Sequence, residues 1–507
     1  MASRVLGLLR DQLFAILIGA NRFSDAFVVG FRIPNLLRDL FAEGALSSAF
    51  VPTFADAWRN RGQPAARRLA GTVVALVLVV VGGLVLLGAL FADGLVGFIA
   101  PGTREPALAA SLTRIMMPFL LLVSLAAAAM GVLNARERFT APALAPALFN
   151  VGSLAVGVGL WAAGWPPERA VVGWALGTLL GGLMQLAIQL PSVRAAGAWP
   201  ALGLGRDRLA DPGLRRIGRL MAGSVIGLSA TQVNIVVNTI FASHEEGAVT
   251  WLQMAFRLMQ LPLGVFGVAI ATVAGAGVAQ AVAARDMATV KRTLGSGLRL
   301  VAFLNVPSAV GLAVVGGPIV SLVYQHGRFT AADATGTAGA LACYALGLYA
   351  YSGVKVLAPA FYALDQARVP VLGSVLGMVA NVGLNAALYP VLGFQGVALG
   401  TSLAAGINFA VLLLAWRRAH GGLGGAGLLR QLGKVGLASV AMAAAAWGAV
   451  AALQGLPMGP GLGRQALVGL LPVALGAVVY FGAARWLRIA ELGELWETLR
   501  RRRSVKG

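Results

Sequence analysis

The chain has 507 residues, of which 58% are hydrophobic and 12% charged, and its mean hydropathy is +0.81. Those proportions exclude an ordinary soluble domain and describe an all-α polytopic membrane protein with little room for a soluble part. The formal net charge of +21 would suit nucleic acid in a soluble chain. Here the basic residues stand mostly between apolar runs, the positive-inside pattern, so no nucleic-acid partner is expected.

The single cysteine, Cys343, excludes an intrachain disulfide. His244, His326 and His420 are far apart and show no metal-ligand spacing. No GK[ST] phosphate loop, HExxH or GxSxG elbow is present, so neither an ATP-driven pump nor an enzyme is expected, and no catalytic residue is assigned.

Apolar runs of membrane length recur about fourteen times, at 2–20, 24–56, 69–99, 107–133, 141–163, 168–193, 214–241, 248–283, 293–324, 333–364, 368–390, 394–416, 429–453 and 465–488. The first carries Arg4, Arg10 and Asp11. Arg4 and Asp11 share a helix face, whereas the adjacent Arg10 and Asp11 project about 100° apart. Arg10 and Asp11 also interrupt the apolar stretch, so no cleavable signal is expected there. The abrupt opening raises the expectation of residues upstream of Met1.

The second run, SDAFVVGFRIPNLLRDLFAEGALSSAFVPTFAD, is the most charged. As one continuous helix it sets Asp25, Arg32, Asn35, Asp39 and Glu43 on a single face, with Pro34 expected to kink it. Charge inside a membrane helix costs roughly 3 kcal/mol per residue on insertion scales, so such groups face a protein interior or a watery cavity. The alternative for Glu43 and Asp56 is that the helix has already left the membrane. In the eighth run Gln253, Arg257 and Gln260 form a polar stripe at i, i+4 and i+7. Arg10, Arg32, Arg38 and Arg257 could converge on one anionic group, since the arginine fork donates two parallel hydrogen bonds to a phosphate. They could equally pair with Asp and hold helices together.

Two further features are neutral. Asn381 and Asn385 are four apart, Thr401 lies in the next run, and Asn234 and Asn238 are four apart in the seventh. Their oxygens could coordinate Na⁺, but interhelical hydrogen bonding is the commoner use. Val435 to Leu453 and Ala466 to Ala484 carry no charge, and GLASVAMAAAAWGAV is rich in small residues. They make either a lipid-facing groove or a close helix contact.

Basic residues crowd alternate loops, from Arg59, Arg61, Arg67 and Arg68 through Arg417 and Arg418 to the tail with Arg500 to Arg503, while the other loops are poor in them. That alternation predicts two cytoplasmic termini. A repeat is also visible. VGFRIPNLLRDLFAEGALSSAF aligns with MAFRLMQLPLGVFGVAIATVAG, Asn150-Val151-Gly152 with Asn381-Val382-Gly383, and WALGT with VALGT. The copies start on the same side, so the expected frame is a six-helix lobe at 1–193, a cytoplasmic linker at 194–213, a second lobe at 214–417, an added helix pair at 418–488 and a basic tail at 489–507. Parallel repeats place substrate near the midplane between lobes, with alternating access.

SRVLGLLRD (Ser3 to Asp11), SDAFVVGFRIPNLLRDLFAEGALSSAFVP (Ser24 to Pro52), NTIFAS (Asn238 to Ser243) and RLMQLPLGVFGVA (Arg257 to Ala269) resemble the MurJ (MviN) lipid II flippase family, over essentially the whole chain. The RxPNLLRxxFAEGA pattern is specific. The family sits within a group of multidrug and polysaccharide-lipid exporters. The resemblance implies fourteen helices in two lobes with an added pair. It also implies transport of lipid II (an undecaprenyl-pyrophosphate-linked disaccharide peptide) from the inner to the outer leaflet of the bacterial plasma membrane during cell-wall synthesis.

The central-cavity charges of that family fall on Arg4, Arg10, Asp11, Asp25, Arg38 and Arg257 here, with Glu43 as a further polar position. A cation site described in some members falls on Asn238, Asn381, Asn385 and Thr401, without its carboxylates, which puts sodium coupling in doubt. No cofactor is implied. Membrane lipids and other cell-wall synthesis proteins are the implied partners. An exporter of another polyprenyl-pyrophosphate-linked glycan is the alternative, and a membrane enzyme acting on such a lipid a weaker one, because the extracytoplasmic loops are short.

Overall fold

The computed structural model describes residues 2–40, 46–423, 425–457 and 461–493. Glu43 and the Arg500 to Arg503 tail lie outside them. Every regular element among the described residues is a helix. Among the described residues ten helices are long and apolar enough to cross a membrane, and Ala331–Ala345 with Leu348–Ala363, bent by 42°, makes an eleventh if counted as one span. The chain is therefore a multi-pass membrane protein.

The expected runs and the helices agree closely, with instructive breaks. The 24–56 run is not one continuous α-helix. Arg22–Arg38 is α-helical through Pro34, residues 39–40 and 46 wind as π-helix, and Ser47–Asn60 follows. A π turn widens the spiral and rotates what comes after it, so the polar stripe holds through Asp39, and its extension to Glu43 falls outside the described residues. The 69–99 run divides at Phe91 into Gly62–Leu90 and a short Ala92–Ile99 helix.

Contacts divide the chain into two compact units: Met1–Thr250 with His326–Thr330, and Trp251–Gln325 with Ala331–Gly507. The first unit packs around Phe50, Phe54, Leu69, Phe119 and Leu133. Close helix approach depends on small residues there: a Cβ on Gly30 would stand 3.0 Å from the Ala109 carbonyl oxygen. Between Ala2–Ile18 and Arg22–Arg38 the chain reverses at Gly19, whose φ of +76° suits glycine. Asn21 then caps the second helix, its side chain accepting from the amides of Phe23 and Ser24 at 2.9 and 3.2 Å.

The basic segment before Pro212–Ala242 is fastened to the start of Gly62–Leu90. The Ala201 amide donates to the Arg67 carbonyl at 3.0 Å, Arg67 donates to the Trp199 carbonyl at 2.9 Å, and Arg61 grips Asp211 at 2.9 and 2.6 Å.

The second unit has one core around Leu294, Leu298, Phe361 and Trp416. Another, around Phe303, Val435, Met442 and Tyr480, seats Gly425–Gln454 and Leu462–Trp486 against Met287–Tyr324.

Candidate functional site

In the first unit Arg10, Asp11, Arg32 and Arg38, on the first two helices, lie at half-buried positions. Although Arg10 and Asp11 leave the helix in different directions, the arginine folds back and donates from Nε and a terminal nitrogen to Asp11 Oδ1 at 3.3 and 3.0 Å. Its guanidinium also lies 5.3 Å from the centre of the Phe149 ring. Arg38 repeats the arrangement on Asp39 at 3.2 and 2.9 Å, and Gln232 donates to the other Asp39 oxygen at 3.4 Å. Arg32 is half-buried on the same helix, and Arg4 is exposed. Each adjacent Arg–Asp pair engages Nε and one terminal nitrogen of its arginine, and a guanidinium carries five N–H donors in all.

Asp25 is used differently. Only 6% exposed, it accepts from the Gly247 amide at 2.6 Å, the Thr250 amide at 2.9 Å and the Thr250 hydroxyl at 2.7 Å. The Ser24 and Thr250 hydroxyls lie 3.0 Å apart. The helix Ala248–Pro262 begins here, so Asp25 takes up orphan N–H groups at its start and places negative charge at the positive end of its dipole. Seven residues further along, in the second unit, that helix carries Arg257, half-buried with Gln253.

The second unit also gathers three of the four neutral candidates. Asn385 donates to Asn381 at 3.4 Å, Asn381 to the Thr401 hydroxyl at 3.3 Å, and Thr401 to the Val397 carbonyl at 2.8 Å. Both asparagines are fully buried. Asn238 belongs to the first unit, where it is half-buried on Pro212–Ala242.

A groove of about 370 Å³ runs between Met287–Tyr324 and the last two helices, lined by Leu304, Gly311, Met442, Ala446, Gly476 and Tyr480 among others. The small residues serve close contact as well: a Cβ on Gly476 would meet Met442 Cγ at 3.2 Å. Met442 and Ala446 of the Ala- and Gly-rich stretch thus line the groove and also make the close contact with Gly476.

Several groups escaped sequence reasoning. Gly247 and Thr250 are ordinary residues whose importance comes from the carboxylate that reaches them. Asp211 stands directly before Pro212, an N-cap signature that could have flagged it. Arg299 is a charge within an apolar run, and its partner Glu491 lies far along the chain.

A family model described as lipid II flippase MurJ matches residues 14–458. The lipid II flippase MurJ of Burkholderia cenocepacia is 36% identical over 425 residues, covering 82% of this chain and 82% of that protein. The probable lipid II flippase MurJ of Rhizobium meliloti is 35% identical over 516 aligned positions, covering 100% and 94%. Among solved structures, a lipid II flippase MurJ in an inward closed conformation superposes with a TM-score of 0.79 at 24% identity, over 96% of this chain and 97% of that one. An inward-facing multidrug transporter of the MATE family gives 0.67 at 17% identity, over 84% and 96%. These two likenesses show a shared fold. With the family match spanning most of its helices, the chain belongs to the lipid II flippase MurJ family, whose members are transporters and not enzymes.

Proposed function

We propose that this chain carries lipid II from the inner to the outer leaflet of the bacterial inner membrane by alternating access, its arginines gripping the pyrophosphate. The observation that carries the proposal is the arginine excess at half-buried positions on apolar helices: Arg10, Arg32 and Arg38 in one unit and Arg257 in the other. A pyrophosphate needs several bidentate cations, and arginine supplies them. Asp11 and Asp39 hold the neighbouring forks, Arg4 and Glu43 extend the polar path, and Asp25 fixes the start of the helix that presents Arg257. The polyprenyl tail occupies the groove beside Gly425–Gln454 and Leu462–Trp486, whose apolar lining matches it.

The finer frame proposed with this has fourteen spans, cytoplasmic termini, lobes at 1–193 and 214–417, a linker at 194–213, an added pair at 418–488 and a basic tail at 489–507. The three spans beyond the apolar eleven are 2–20, 24–56 and 214–241. The first two carry Arg4, Arg10, Asp11, Asp25, Arg32 and Arg38, and charge within a span is the mark of a substrate path. Alternating loop charge supports the orientation. Asn238, Asn381, Asn385 and Thr401 are proposed as helix-packing groups and not a Na⁺ site, because a cation there would lack a carboxylate to offset its dehydration.

The test is complementation of a flippase-depleted strain, scored as lipid II accessible on the outer leaflet, with membrane abundance and binding of purified lipid II measured in parallel. Arg257→Ala should lower affinity by roughly 10- to 100-fold at normal abundance, since charge-assisted hydrogen bonds contribute about 1.5–3 kcal/mol. Arg257→Lys should rescue part of it, keeping charge but losing the fork. Unchanged binding by Arg257→Ala overturns the grip.

A further inference from the structure

A buried acid in the second unit has no part in this scheme. Glu491, 2% exposed, accepts from Arg299 Nε at 3.0 Å, and its other oxygen accepts from Gln431 Nε2. Arg299 also donates to the Ser296 hydroxyl at 3.0 Å. Beside them Lys434 donates to the Leu487 carbonyl at 2.8 Å, just past the end of Leu462–Trp486, where a cation suits the helix dipole. A carboxylate is costly to bury unless paired and hydrogen-bonded, and this one is both. The clasp therefore ties together three segments: Met287–Tyr324 through Arg299, Gly425–Gln454 through Gln431, and the stretch after Leu462–Trp486 through Glu491.

From the clasp, one ladder of contacts leads to the groove. On Gly425–Gln454 the residues Gln431, Val435, Ala438, Met442 and Ala446 follow at helical spacing along one face. Val435, Ala438 and Met442 pack with Phe303, Tyr480 and Ala484 in a single core. Tyr480 fixes the height of its helix by donating to the Phe303 carbonyl at 2.5 Å. Met442, Ala446, Tyr480 and Leu304 then line the groove itself. The groove wall and the clasp are thus two ends of the same three-way contact, and close-packed side chains transmit a shift from one to the other.

We propose that the Arg299–Glu491–Gln431 clasp is a positioning device that sets the separation of the last two helices from Met287–Tyr324, and with it the fit of the apolar groove to a polyprenyl chain. This rests on the groove being the tail site. The clasp touches no substrate. It acts through the core around Phe303, and its signature is selectivity for chain length and not affinity for the headgroup.

The experiment compares binding of lipid II bearing its full polyprenyl tail with a farnesyl-chain version, using the full-length protein in nanodiscs. Wild type should favour the long chain. Glu491→Ala and Arg299→Ala should each cut that preference roughly tenfold while leaving farnesyl-chain affinity unchanged. The double variant should do no more than either single one, because each already opens the same clasp. The charge-swapped pair Glu491→Arg with Arg299→Glu should restore part of the preference. If a variant is too unstable to purify, Glu491→Gln, which keeps one acceptor oxygen, takes its place with a smaller effect in the same direction. Equal loss for both ligands, or no loss for either, overturns the proposal. A separate control fills the groove with Gly311→Leu. If that substitution leaves the chain-length preference intact, the tail-site assignment itself fails. If it abolishes the preference while the clasp variants keep it, the positioning role alone fails.

Discussion

Asp25 and the Asn381–Asn385–Thr401 chain are both buried polar knots between helices, yet they are built from opposite materials. At Asp25 a carboxylate collects two backbone amides and a hydroxyl at 2.6 to 2.9 Å. In the neutral chain, amide and hydroxyl side chains pass hydrogen bonds along at 2.8 to 3.4 Å. A charged acceptor makes shorter and stronger bonds, but its loss strands donors that had been organised around it. Neutral groups inside a membrane protein bind each other weakly, because in the unfolded state within the bilayer they find other partners. The first knot should be brittle and the second forgiving.

The largest effect should come from Asp25→Ala. Removing the acceptor leaves the Gly247 and Thr250 amides unsatisfied at the start of the helix that carries Arg257, a loss of about 3 kcal/mol on the scale of hydrogen bonds to charged groups. The apparent melting temperature in detergent should fall, and lipid II transport should fall with it. Asp25→Asn should do less harm, since asparagine accepts comparably well at helix starts. If Asp25→Ala melts like wild type, the distinction between the knots collapses.

A smaller change is expected from Asn385→Ala, about 1 kcal/mol in thermal stability with little effect on transport. This is the sharper test of the neutral knot, because a cation site would respond differently. Saturable Na⁺-dependent stabilisation of the wild-type protein that Asn385→Ala abolishes would show that these oxygens hold an ion and not merely each other.

The contrast also explains what could be read from the chain and what could not. Apolar runs report burial in lipid directly, and most of those predicted from hydropathy are helices within a few residues of their expected ends. Charges within those runs, such as Arg10, Arg32 and Arg257, stand out because the membrane makes them costly. The break within 24–56 was not legible. A π turn depends on how the helix packs, and Pro34, the visible suspect, sits inside an unbroken helix. Partners were harder still: Thr250 lies 225 residues from Asp25, and Glu491 lies 192 from Arg299. Such pairs are set by tertiary packing, for which spacing along one helix carries no signal.

The smallest effect should come from another carboxylate of the first unit, Asp211, which lies before Pro212–Ala242. Asp211 accepts both forks of Arg61, at 2.9 and 2.6 Å, and the Gly213 amide at 2.7 Å. The Arg61 guanidinium holds its carboxyl below the usual range, helped by that amide and against the partial burial of the acid. A carboxylate whose pKa is depressed on folding contributes stability that is fully present above its unfolded pKa of about 3.9 and is lost as pH falls through the lower folded value. Arg61 is 42% exposed, so solvent screening limits the pair to about 0.2–1 kcal/mol. The segment from Ala201 to Asp211 should therefore stay docked on Gly62–Leu90 at neutral pH and become more sensitive to proteolysis only below about pH 4. Asp211→Asn should show that higher sensitivity already at neutral pH, with little further change on acidification, because it has no charge left to lose. A linker whose cleavage rate in the wild type ignores pH across that window would mean that Arg67 and the Ala201 backbone hold it without help from the ion pair.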